Sequence, residues 1–327
     1  MAGTAAIEQS TRRSRFGRAL KPFRDAQGLS RWLLWTGVAL TMLFVMVAVL
    51  APWIAPYDFN QVATSDGGPF PKQAAPSGEH WFGTSVRSED VFSRVVFGAR
   101  IAVEVVALAV AVSLVVGVPL GLISGYFGGW VDRVLVLIAD ALFAFPYLLL
   151  AIVIAFLLSD AIGGGVVTAA LAITVVYVPQ YFRVVRNSTL SAREATYVEA
   201  ARALGARPRT VITRYLFGNV IQSVPVIATL NAADAMLTLA GLGFLGYGIQ
   251  PTEGAEWGYD LQRAVLDVAA DIWWTGVFPG MAIVLFVVAL TLVGEGLNDT
   301  LNPTLRKRRI EKVHIPPRAD AEQGARS

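Results

Sequence analysis

Residues 101–124 read IAVEVVALAVAVSLVVGVPLGLIS, and the only charge among them, Glu104, lies near the start. A helix rises 1.5 Å per residue, so ~20 apolar residues cross the ~30 Å hydrocarbon layer of a bilayer. Five further stretches of similar character flank this one: Trp32–Ala51, Val134–Leu158, Val166–Phe182, Val220–Leu245 and Ile272–Leu292. The whole chain of 327 residues is 55% hydrophobic and 16% charged. Soluble domains average ~45–50% apolar and about 25% charged. The reading is an all-α polytopic membrane protein with six transmembrane helices. A single bundle and short tails use up the length.

Counts of reactive residues narrow the chemistry. The chain has no cysteine, which excludes disulfides, thiolate metal sites and a thiol nucleophile. Its two histidines, His80 and His314, are far apart and lie outside every span, so a histidine metal site is not expected. None of the lysines (Lys21, Lys72, Lys307, Lys312) follows a glycine, which excludes the Gly-Lys-Ser/Thr core of a P-loop. Any ATP used in this protein's work must bind another chain. An intramembrane enzyme would need a nucleophile–base pair or a metal, and neither constellation is present. No catalytic, cofactor or metal residue is therefore expected.

Basic residues set the expected orientation. Twenty-two of the 27 lie in residues 1–31, at Arg133, in residues 183–214 or beyond residue 305. With six crossings these all fall on one face, which the positive-inside rule makes cytoplasmic, along with both termini. The pI of about 9.3 follows from this bias and calls for no nucleic acid. The expected organisation is a basic segment at 1–31, a first span and external loop at 32–95, a five-helix core at 96–305, and a disordered basic tail at 306–327. The first span follows too long a polar leader for an ordinary cleaved signal and is read as a retained anchor.

At the edges of the spans, Trp32, Trp35, Trp53, Tyr126, Trp130, Trp257, Trp273 and Trp274 sit where interfacial anchors belong. Pro119, Pro146, Pro179, Pro225 and Pro279 are read as kinks. Gly117, Gly121 and Gly125 recur every four residues, a small-residue stripe for close helix approach, either within the chain or to a second subunit. Glu104, Asp140 and Asp234 fall inside spans, where a central carboxylate costs roughly 2.5–3.5 kcal/mol, so each should face the bundle interior or water. The local alternative places Glu104 near the outer surface and has Asp140 brace the helix of Pro146. Asp234, among Ala232, Ala233 and Ala235, is the best candidate to line a polar path for a substrate with an amino group.

One loop departs from a plain bundle. Residues 187–219 are long, basic and helix-like, where a hairpin needs a handful of residues. Ser191–Glu194 and Thr196–Glu199 both read as capping boxes. Tyr197, Ala200, Ala201 and Leu204 share one apolar face, Gly205 supplies a left-handed stop, and Pro208 prevents simple continuation. A helix of about two turns is not stable alone in water. Its face must rest on the membrane base, on lipid, or in a groove of another protein.

The stretch Tyr197-Val-Glu-Ala-Ala-Arg-Ala-Leu-Gly-Ala206 resembles the EAA motif of permease subunits of bacterial ATP-binding-cassette importers, in the oligopeptide/dipeptide/nickel class. The likeness extends to Pro76-Ser-Gly-Glu-His80-Trp-Phe-Gly-Thr84, Asp90-Val-Phe-Ser-Arg94, Gly243-Phe-Leu-Gly246, Phe278-Pro-Gly280 and Gly294-Glu-Gly-Leu-Asn-Asp299, and is closest to C-type permeases. Leu216-Phe217 stands where the family usually carries Leu-Pro.

The resemblance implies a type I importer permease in the bacterial cytoplasmic membrane. It also implies that Glu199, Ala200, Ala201, Leu204 and Gly205 contact a cytoplasmic ATPase. The implied partners are a second permease, two ATPase domains that bind ATP and magnesium, and an external substrate-binding protein. Peptide is the implied substrate, with nickel and other solutes left open. A stand-alone secondary carrier or channel would explain the spans but leave the 187–219 loop without a task.

Overall fold

The computed structural model describes residues 29–301, so the expectations for residues 1–28 and for the tail lie outside the described residues. The described chain is helical. Its helices are α1 (Leu29–Ile54), α2 (Val91–Phe127), α3 (Gly129–Phe143), α4 (Tyr147–Ile162) and α5 (Gly165–Arg193), then α6 (Thr196–Ala203), α7 (Pro208–Phe244), α8 (Trp257–Val268) and α9 (Trp274–Leu301). Among the described residues, extended pairing is confined to two isolated bridges, Ala63–Pro69 and Thr84–Asp90, in the loop after α1.

Five helices (α1, α2, α5, α7 and α9) are each long and apolar enough to cross a membrane. The third expected span is not one rod. It breaks at Ala144-Phe145-Pro146 into α3 and α4, which meet at 97°. Proline lacks the amide that would continue the ladder, and Pro146 takes the N-cap position of a new helix. It therefore breaks the span where a kink was expected.

The broken pair still makes one net crossing. Helices α2 and α5 run parallel, because Ala109 meets Thr174 and Gly117, Gly121 and Gly125 meet Tyr181, Val185 and Thr189 in turn. Two parallel neighbours need a return between them, and α3–α4 is that return. Helices α1 and α9 run antiparallel, with Gly37 against Val293 and Gly296 against Leu34. Tyr57, just after α1, donates its amide to Ser93 at the start of α2. The two described ends thus share the bundle face of α6.

The glycine stripe serves packing within the chain. A Cβ on Gly121 would lie 2.7 Å from the Val185 Cβ and 2.8 Å from the Phe182 carbonyl oxygen, so the backbones touch. Replacing Gly121 with Val should separate α2 from α5. Overpacking of this kind costs about 1–3 kcal/mol, and the expected readout is a lower melting temperature in detergent, with Gly218→Val, which meets open space, as the control.

Candidate functional site

Residues 196–205 form a short rod on the face shared by the described ends. Helix α6 begins after Ala195, whose carbonyl accepts from Val198 and Glu199. It ends in a Schellman motif: Ala206 donates to the Ala201 carbonyl at 3.0 Å, Gly205 donates to Arg202 at 2.9 Å, and Gly205 takes φ +81°. Neither expected capping box forms. Ser191 lies inside α5, and Thr196 already occupies the first helical position, with no side-chain cap at Ala195. The register is set by burial, because Val198 is fully enclosed in a cluster with Val118, Leu122, Val185, Val211 and Leu216.

That register also divides the expected apolar face. Val198 and Ala201 point into the bundle, while Tyr197, Glu199, Ala200, Leu204 and Gly205 are exposed. Leu204 is 89% exposed and Ala201 is 5% exposed. Ala201, expected among the contact residues, instead anchors the rod. Two more ties hold it: Tyr197 accepts a hydrogen bond from Asn219, and the Arg202 guanidinium lies 5.0 Å over the Tyr126 ring, while just before the rod Arg193 donates to the Gly125 carbonyl at 2.9 Å. The rod is thereby joined to the end of α2 and to the start of α7. Where the resemblance has Leu-Pro, Val211–Leu216 winds as a π-helix with Val211 and Leu216 fully buried. Wider turns of this kind recur at functional sites.

The opposite face carries a second constellation that the spans alone did not reveal. Arg94, at the start of α2, reaches Asp260 on α8 with Nε and Nη2 at 2.9 and 2.6 Å from Oδ1. It also donates to the Phe59 carbonyl and meets Glu89, which Ser85 and Arg263 also reach. Bidentate charge-assisted pairs of this kind fix geometry tightly. The neighbouring His80 ring meets the Asp90 carboxylate at 2.9 Å, and Asp90 caps α2 through the Ser93 amide. Glu256 caps α8 by accepting from the Gly258 and Tyr259 amides, and burial pushes its carboxyl up to about 8 against the pull of those donors. Gly243 leaves the room Glu256 needs.

Two expected interfacial anchors are core residues. Trp257, 1% exposed, lies on Gly98 and donates to the Val95 carbonyl at 3.0 Å. Trp274, 8% exposed, donates to the Thr84 carbonyl at 3.2 Å. Each buried indole finds a partner for its N–H, which locks α8 to the start of α2 and the outer loop to α9. Trp32, Trp35, Trp53, Trp130 and Trp273 remain exposed.

The three membrane carboxylates have different surroundings. Glu104 pairs with Arg100 one turn earlier at 3.0 Å on the exposed side of α2. Asp140 accepts from Arg183 at 2.6 Å, tying α3 to α5, and so does not brace the helix of Pro146 through its side chain. Asp234 lines a cavity of about 410 Å³ beside the 97° break. Among the described residues no hydrogen bond or ion pair reaches its carboxylate, although its own backbone carbonyl accepts from Thr238.

The described helices form a bundle of up to six crossings with a moored rod on one face. Residues 117–307 match the family described as the binding-protein-dependent transport system inner membrane component, and the chain belongs to that family. It is 37% identical over 273 residues to the glutathione transport system permease protein GsiD of Escherichia coli O6:K15:H31, covering 83% of this chain and 86% of that one. The GsiD protein of Pectobacterium atrosepticum is 35% identical over 267 residues, covering 81% and 85%. The dipeptide transport system permease protein DppC of Alkalihalophilus pseudofirmus is 36% identical over 292 residues, covering 88% and 92%. The chain is therefore a multi-pass permease component of a bacterial inner-membrane transport system.

Proposed function

We propose that this chain is one of two permease subunits of an ATP-driven peptide importer and that separate ATPase subunits drive it by gripping residues 196–205. The observation that carries this reading is the division of α6: Val198 and Ala201 are enclosed, while Tyr197 near its start and Leu204 at its end are presented outward. An exposed leucine beside a left-handed glycine suits a groove in a partner. The ties to Tyr126 and Asn219 give a push on the rod a route into α2 and α7.

The basic bias of residues 183–214 supports a cytoplasmic position for this face and for both termini. ATP and magnesium belong to the partners, and this chain contributes no catalysis. An external binding protein delivers substrate to the opposite face, near the loop braced by Arg94 and Trp274. Peptide is the substrate class because the relatives above are named for glutathione and dipeptide transport. Switching requires that ATP and loaded binding protein each favour a different bundle state.

The test is uptake into proteoliposomes holding this chain with its partner permease, ATPases and binding protein. The expected result is accumulation of a labelled dipeptide that requires ATP and the binding protein. Uptake by this chain alone, driven by an ion gradient, would instead make it a secondary carrier.

A further inference from the structure

We infer that the cavity beside the broken third span is a binding site for the ammonium group of a peptide in transit, with Asp234 as its counter-charge. The inference rests on the peptide reading above and adds a place on this chain where the cargo itself is recognised.

The cavity, about 410 Å³, is lined by Phe145 and Tyr147 at the break, Tyr177 and Gln180 on α5, and Asp234 and Leu237 on α7. That size falls within the roughly 300–1,000 Å³ of small-ligand sites. Helix α4 starts at Tyr147, so the 97° bend is what opens the space.

Its chemistry selects a cation. Asp234 supplies one carboxylate, and the rings of Tyr147 and Tyr177 line the same space. Aromatic faces attract cations within ~6 Å of the ring centre. Arg183 on α5 is already engaged, holding Asp140 at 2.6 Å and stacking 3.9 Å over the Phe143 ring, and among the described residues no cation pairs with Asp234. Tyr177 is fixed by a 3.0 Å hydrogen bond with Thr238, one turn beyond Asp234. Gln180 can both donate to and accept from a peptide group. A divalent metal would need more ligands than one carboxylate, and among the described residues no group of three or more His, Cys, Asp or Glu is suitably placed. A monovalent organic ammonium with a short polar backbone behind it matches what remains.

The absence of cysteine makes the test direct. The full-length chain carrying Leu237→Cys is placed in lipid nanodiscs. It is labelled with a trimethylammonium methanethiosulfonate and, separately, with a sulfonate methanethiosulfonate, each rate normalised to that of free cysteine. The cationic reagent is expected to react about tenfold faster, and Asp234→Asn should remove the preference. Alanyl-alanine should slow the labelling, whereas N-acetyl-alanyl-alanine should not. Gln180→Cys provides the same measurement from α5 if Leu237→Cys does not fold. Equal normalised rates with Asp234 intact, or protection by both dipeptides or by neither, would overturn the site. These measurements use this chain alone, so an assembled transporter that fails to import peptide would defeat the proposed function without altering their outcome.

Discussion

Leu204→Asp is expected to abolish ATP-dependent uptake while leaving the chain folded and inserted. Leu204 is 89% exposed at the end of α6, so the substitution disturbs no packing within the bundle. In a partner's groove, however, it would bury an unpaired carboxylate where an apolar anchor belongs. Loss of a central interface anchor costs about 2 kcal/mol or more, at least about 30-fold in affinity, and the measurement is ATPase retention on the immobilised permease. Gly205→Pro should act by a different route. At φ +81° proline cannot be accommodated, because its ring holds φ near −65°, so the rod's end must unwind. Val198→Asp is the informative contrast. Val198 is fully buried, and that variant should lower the amount of folded chain as well as coupling.

The second large effect lies on the other face. Asp260→Ala leaves Arg94 enclosed without its bidentate partner, and breaking a buried ion pair from one side costs about 3–5 kcal/mol. The loop between α1 and α2 should loosen with it, because Arg94 also holds the Phe59 carbonyl and meets Glu89. The expected observations are a lower melting temperature and faster proteolysis between residues 57 and 90. The double variant Arg94→Met, Asp260→Leu should recover much of the stability, since replacing a buried pair by apolar side chains is often near neutral. If Asp260→Ala melts like the parent protein, the pair does not brace this face.

Much of this architecture was legible from local pattern, and the exceptions share a cause. Apolar run length and the basic bias depend on the bilayer alone, so the crossings could be placed from residues near one another in sequence. The break at Pro146 could not. Whether a proline kinks or splits a helix depends on whether neighbours satisfy the freed carbonyls, and those neighbours are distant in sequence. Trp257 and Trp274 sit at positions typical of interfacial anchors, yet they are buried because Gly98 and the Thr84 carbonyl come to meet them. The Arg94–Asp260 pair spans 166 positions, a pairing no local pattern announces.

At the rod, the left-handed Gly205 was readable from residue type, but the inward face was not. Two apolar sets, Tyr197/Ala200/Leu204 and Val198/Ala201, compete at helical spacing. The hydrophobic cluster below, built from α2, α5 and α7, takes the second. Asp234 stood out as a charge among alanines, and the cavity it lines emerges only once the break at Pro146 is seen.

The central claim, that a partner ATPase grips residues 196–205, is tested most directly by cross-linking. A benzophenone attached to Leu204→Cys in the otherwise cysteine-free chain, assembled with its transporter in membranes, should on illumination capture the ATPase subunit, whereas the same probe at Val198→Cys should stay within this chain. Capture of lipid or of this chain alone from Leu204, in a complex that still couples ATP hydrolysis to uptake, would contradict it.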